Sequence, residues 1–83
     1  MLVQYDTEVR AFYVQVTDEA VIHTVDLSAF VSVDVDAEER VVGLELLCLP
    51  SAVTAAERAA LKLGFPAAVD ALIGIERLTG LST

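Results

Sequence analysis

Asp34, Asp36 and Glu45 are the residues of this chain best suited by type to do chemistry. Sets of carboxylates can hold a hard cation such as magnesium or calcium, and a pair of them can divide acid and base roles. That chemistry would make a small metal-dependent hydrolase. The spacing argues for something plainer, because Asp34 and Asp36 alternate with Val33 and Val35 as charges do on the solvated face of a strand running into a turn. No EF-hand or phosphate-binding loop occurs. His23 is the only histidine, alternates with Val21 and Val25, and has no Ser or Cys motif beside it, so it reads as a strand residue rather than a general base. Cys48 is the single cysteine, without a second thiol for a disulfide, metal site or redox pair, and reads as a small apolar strand residue. Ser28 and Ser51 fall in linkers without a nucleophile elbow. Tyr5 and Tyr13 are expected to bury their rings and leave their hydroxyls wet. The residues point to a protein that is not an enzyme, with no catalytic residue, cofactor or metal; the hydrolase on Asp34, Asp36 and Glu45 is the alternative.

The chain has 83 residues, enough for one domain but short of a comfortable core, since a chain this small buries only about 60% of its unfolded surface. Yet 55% of its residues are hydrophobic and the mean hydropathy is +0.63. A small globule cannot hide so much apolar surface inside itself. Self-association into a homo-oligomer, most simply a dimer, is therefore expected. A membrane is not the outlet: the longest uncharged run, residues 46–56, is divided by Pro50 and falls well below the roughly 18 residues that a span needs. The first residues, Met-Leu-Val-Gln-Tyr-Asp, lack the basic and apolar regions of a signal peptide, which predicts a cytoplasmic protein.

The net charge of −8 is unevenly placed. Residues 1–50 hold ten of the thirteen acidic side chains against only Arg10 and Arg40, whereas Glu57, Asp70 and Glu76 balance Arg58, Lys62 and Arg77 in the remainder. An acidic first half disfavours phosphate backbones, which bind where Lys and Arg gather, so nucleic acid is excluded as a partner. A basic protein partner is compatible, because an acidic face would steer it.

The hydrophobic period changes near Pro50. Before it, apolar residues recur every second position, the mark of strands. Leu2 to Tyr5, Ala11 to Thr17, Ala20 to Asp26, Phe30 to Asp36 and Arg40 to Leu49 read as five strands, with Asp18-Glu19 closing a hairpin between the second and third and Asp36 to Glu39 closing another. The last strand is apolar on both faces, as strands inside a sheet or against a partner are. After Pro50, Thr54-Ala55-Ala56-Glu57 is a capping box opening a helix to about residue 63. Gly64 suits a left-handed end to that helix, and Pro66 suits the first turn of a second running from Ala67 to Leu78. Val69, Leu72, Ile73 and Ile75 give the second helix a wide apolar arc, an interaction surface toward the sheet or toward another subunit. The fold class is α+β: a largely antiparallel meander of about five strands (1–50) followed by two short helices packed on the sheet (51–83).

Within the last strand, Gly43 sits where glycine costs stability, which predicts that it makes room for a neighbour such as Tyr13. Glu45 points to the same face as Gly43, and would need a cation nearby if Asp34 lay opposite it.

The series Tyr5-Asp6, Ala11-Phe12-Tyr13-Val14, Thr24-Val25-Asp26, Val33-Asp34-Val35-Asp36 and Val41-Val42-Gly43-Leu44-Glu45-Leu46 resembles the YuzE-like family of small prokaryotic proteins, a domain of unknown function. The resemblance covers roughly residues 1–50 and leaves out the helical tail. It singles out Tyr5, Asp6, Tyr13, Gly43 and Glu45 as its structural motif. The chain departs from the pattern at Arg10, where an acidic residue is usual, and at Glu38-Glu39, where a turn glycine is common. The resemblance implies a compact sheet with a helix and no assigned activity. With the small size and acidity, it leads to the expectation of a non-catalytic interaction or oligomerisation module, the regulatory or antitoxin-like half of a two-protein system.

Overall fold

A computed structural model describes residues 2–79. Five strands come first: β1 (Leu2–Asp6), β2 (Ala11–Gln15), β3 (His23–Asp26), β4 (Val31–Val35) and β5 (Val41–Leu46). A 3-10 turn over Pro50–Ala52 leads into α1 (Ala55–Gly64) and α2 (Pro66–Thr79). The fold is therefore α+β, an antiparallel five-stranded sheet followed by two helices.

The strand order is β1-β2-β5-β4-β3, so the expected hairpin between the second and third strands does not form. Residues 16–22 instead carry the chain from β2 to the far edge of the sheet, and β5 returns to pair with both β2 and β4. Strands β2 to β5 thus trace a Greek key. The physical reason lies in β5, whose Val41, Val42, Leu44 and Leu46 are all buried. A strand apolar on both faces belongs in the middle of a sheet. Asp18-Glu19 is a polar bend on the crossing, not the tip of a hairpin.

Among the described residues, helices cover one face of the sheet. Phe12, Val14, Val31, Val33, Leu44 and Leu46 point to that face and pack with Leu61, Ala68, Ala71, Leu72 and Ile75 in one core. Helix α2 lies against β5 and β2, and α1 rests on α2. Ala68 and Ala71, almost fully buried, let the α2 backbone approach the sheet closely.

The helical termini follow the sequence signals at one end and not at the other. Thr54 Oγ1 accepts from Glu57 N at 3.1 Å while the Glu57 carboxylate accepts from Thr54 N at 2.8 Å, the expected capping box. Gly64, by contrast, is the last residue of α1 and has no left-handed backbone. Phe65 ends the helix with a backbone outside the helical region, φ −142° and ψ 67°, and its N–H donated to Leu61 O at 2.6 Å. Pro66 explains this, because proline forces the residue before it out of the helical region.

Candidate functional site

The helix-free face of the sheet brings together most of the motif residues. Tyr13 on β2 stands opposite Glu45 on β5, and Gln15 stands opposite Gly43. The Tyr13 ring leans along the strand over Gly43, where an added Cβ would lie 2.2 Å from Tyr13 Oη and 2.6 Å from Cζ. The expected packing pair is thus present, and its reason extends to β4: Tyr13 reaches over the bare backbone of the central strand to donate its hydroxyl to Asp34 Oδ2 at 3.0 Å. Asp34 stands opposite Gly43 on one side and Thr24 on the other, and Thr24 donates to Asp34 Oδ1 at 2.6 Å. Asp34 does not face Glu45. Ser32 does, and it donates to Asp26 Oδ1 at 2.8 Å.

The Tyr13 phenol is pushed up to about 12, first by burial and then by its bond to Asp34 and the charges of Asp34 and Glu45. Such a group stays a neutral donor throughout the physiological range, which suits a clasp and not a base.

Asp36 belongs to a different site. It is only 4% exposed, not part of a solvated rim as its spacing suggested. Its Oδ1 accepts from the backbone N–H groups of Glu38 and Arg40, both at 2.9 Å, and its Oδ2 accepts from Arg40 Nε at 3.0 Å. The carboxylate builds the β4–β5 turn, in which Glu39 takes a left-handed φ of 62°. These bonds, the Arg40 backbone first, hold the Asp36 carboxyl below its ordinary pKa. Asp34, Asp36 and Glu45 are therefore split between a sheet face and a turn. Among the described residues no group of three or more His, Cys, Asp or Glu side chains is arranged to hold a metal ion.

Other motif residues set local shape. Asp6 Oδ1 accepts from Glu8 N at 2.9 Å and from Val9 N at 3.4 Å, closing the β1–β2 turn in which Arg10 takes φ 55°. Tyr5 is half exposed and its ring lies 4.5 Å from that of Phe12, tilted by 42°. His23 is exposed on β3. Cys48 is half-buried, and burial followed by the nearby Glu57 charge raises its thiol pKa, so it stays protonated.

The interaction arc expected on α2 is mostly spent inside the molecule. Leu72 and Ile75 are fully buried, Val69 packs against the core, and only Ile73 is exposed. An apolar opening lies elsewhere, at the end of the sheet where β5 leaves it. Leu47 N donates to Phe30 O at 2.8 Å, and Tyr5, Phe30, Leu47 and Leu49 are each about half exposed there. Two hollows meet at Cys48. One, of about 410 Å³, lies between Tyr5, Phe12, Leu47 and Leu49 with Arg10 at its rim. The other, of about 540 Å³, lies between Phe30, Ala52 and Cys48 with Glu57 at its rim.

A family model described as "Protein of unknown function (DUF2283)" matches residues 2–48. The chain belongs to this family. No curated protein and no solved structure matches it. The DUF2283 match takes in all five strands and stops before the 3-10 turn, so the helices that cover the sheet fall outside it. A side-chain hydrogen bond ties the tail to the DUF2283 sheet, with Ser28 of the β3–β4 turn donating to Glu57 of the capping box, whereas Arg58 braces the tail itself by donating to Val53 O and Pro50 O and pairing with Glu76 of α2. Sequence reading missed the apolar end of this DUF2283 chain because Tyr5, Phe30 and Leu49 are far apart in sequence. The one available signal was the run of apolar residues that continues past β5 through Leu47, Cys48 and Leu49.

Proposed function

We propose that this DUF2283 protein is a non-catalytic protein-interaction module, YuzE-like within its family, that acts as a homo-oligomer in the bacterial cytoplasm. It holds a basic partner at the apolar end, as the regulatory or antitoxin-like member of a two-protein system. The observation that carries this reading is the group of half-exposed Tyr5, Phe30, Leu47 and Leu49 around two hollows that share Cys48. Aromatic and long aliphatic side chains at the centre of a patch, with charges at its edge, are the anatomy of a protein interface. Its surroundings are net acidic: Asp6 and Glu8 follow Tyr5 and Glu57 rims the second hollow, against Arg10 at the rim of the first. Those charges steer a partner carrying Lys and Arg. The hydrolase alternative loses support from the two hydroxyls bound to Asp34 and from the commitment of Asp36 to its own turn.

The test is capture from the native host with the wild-type chain and with Phe30→Ser/Leu49→Ser, two exposed positions whose replacement spares the core. The wild type retains one basic protein in fixed ratio, and the double variant binds that protein at least tenfold more weakly, about 1.4 kcal/mol. Equal retention by both chains, or a wild type that retains nothing, would overturn the assignment.

A further inference from the structure

We infer that two copies of the chain join edge to edge through β1, forming one continuous ten-stranded sheet. The inference rests on the self-association proposed above and names its geometry. Among the described residues β1 pairs only with β2, so its outer row of backbone N–H and C=O groups has no ladder partner. Natural edges are guarded by proline, lysine, bulges or brevity. Strand β1 has none of these guards: Leu2–Asp6 contains neither residue, and its register against β2 runs unbroken from Leu2↔Gln15 to Asp6↔Ala11. It also exposes Leu2 by 52% and Tyr5 by 47%.

The opposite edge is less suited to a second copy. Strand β3 has four residues, and its Asp26 and the neighbouring Asp34 give that side of the sheet face a negative charge. Every copy carries −8, so an acidic edge repels its own kind. The outward residues Leu2 and Gln4 of β1 are neutral, and Asp6 is engaged in its own turn.

Antiparallel pairing of a strand with itself requires a two-fold axis perpendicular to the sheet, which keeps all four helices on one face. An axis through Gln4 sets Gln4 against Gln4 of the other copy, Val3 against its Tyr5, and Leu2 against its Asp6. The two Val3–Tyr5 contacts cover apolar surface, and no like charges stand directly opposite. Because both copies are strongly acidic, added salt tightens this dimer. A complex with a basic partner responds in the opposite sense.

Gln4 is exposed, so its replacement leaves the fold intact and tests the geometry directly. Gln4→Glu sets two carboxylates against each other at the axis and brings each diagonally near Asp6 of the other copy, which weakens the dimer roughly fivefold or more in light scattering across a concentration series. Mixing Gln4→Glu with Gln4→Lys in equal amounts restores dimers at least as tight as the wild type. A wild type that stays monomeric overturns both this inference and the self-association on which it rests. A wild-type dimer indifferent to Gln4→Glu overturns the β1 edge alone.

Discussion

Gly43 and Tyr13 determine each other across two strands. A methyl at Gly43 would meet Tyr13 Oη at 2.2 Å, and the ring has little freedom to retreat while its hydroxyl is held by Asp34. Gly43→Ala is expected to cost about 1–3 kcal/mol as an overpacking change, and almost nothing in a Tyr13→Ala background. Urea unfolding of the four chains of that cycle checks it; additive losses would mean that the ring is not the obstacle. The pairing was legible in the sequence because a mid-strand glycine wants an aromatic neighbour. Asp34 as the ring's anchor was not, since it depends on the register between β5 and β4. Asp36 was misread for a related reason: alternation placed it outward, but the turn folds its backbone amides onto the carboxylate and buries it. Its lowered pKa has a definite sign. Stability from a depressed carboxyl is fully present above its unfolded pKa, about 3.8 for Asp36 and about 4.5 for Glu57, and is lost as pH falls from there through the lower folded value; Glu57 is lowered first by its bond to Ser28. Melting curves between about pH 6 and pH 2 are expected to show the loss below about pH 4, and Asp36→Asn is expected to flatten it.

The elements show where two-residue periodicity stops being informative. All five strands and both helices stand close to where the alternation and the capping box placed them. Their order does not, because a polar pair such as Asp18-Glu19 signals a bend without saying which strand follows in space. The doubly apolar character of β5 held the answer, since only a central position buries both of its faces. The β4–β5 turn keeps a mark of strain that the sequence also carried. Glu39 occupies the left-handed region, which glycine enters without a steric penalty. Glu39→Gly is expected to raise stability by up to about 1 kcal/mol, the lower end of the penalty for a side chain in that conformation. Chemical denaturation measures it, and a loss of stability would show that the glutamate contributes more than the strain it imposes.

At the scale of the whole molecule, the family and the fold have different boundaries. The DUF2283 match ends at residue 48, yet the core it folds around needs Leu61, Leu72 and Ile75 from the tail. Fully burying side chains of this size contributes about 1.5–3 kcal/mol each, and a domain of this length is stable by only some 5–15 kcal/mol. A chain cut after Leu49 is therefore expected to lose its cooperative unfolding transition, or to cover Leu44 and Leu46 by aggregating; a sharp transition in a soluble monomer would contradict this. The tail thus closes one face of the sheet and leaves the β1 edge and the apolar end around Cys48 exposed, where the proposed association is expected to take place. Composition had already signalled an excess of apolar surface, but it could not locate it, because the exposed residues come together only after the Greek key has formed. The most direct measurement is the solution mass of the protein purified from its native host. Association predicts a species well above the 8.9 kDa of one chain, a dimer or a dimer with a bound basic protein. A single species at the mass of one chain, at every concentration, would contradict the account.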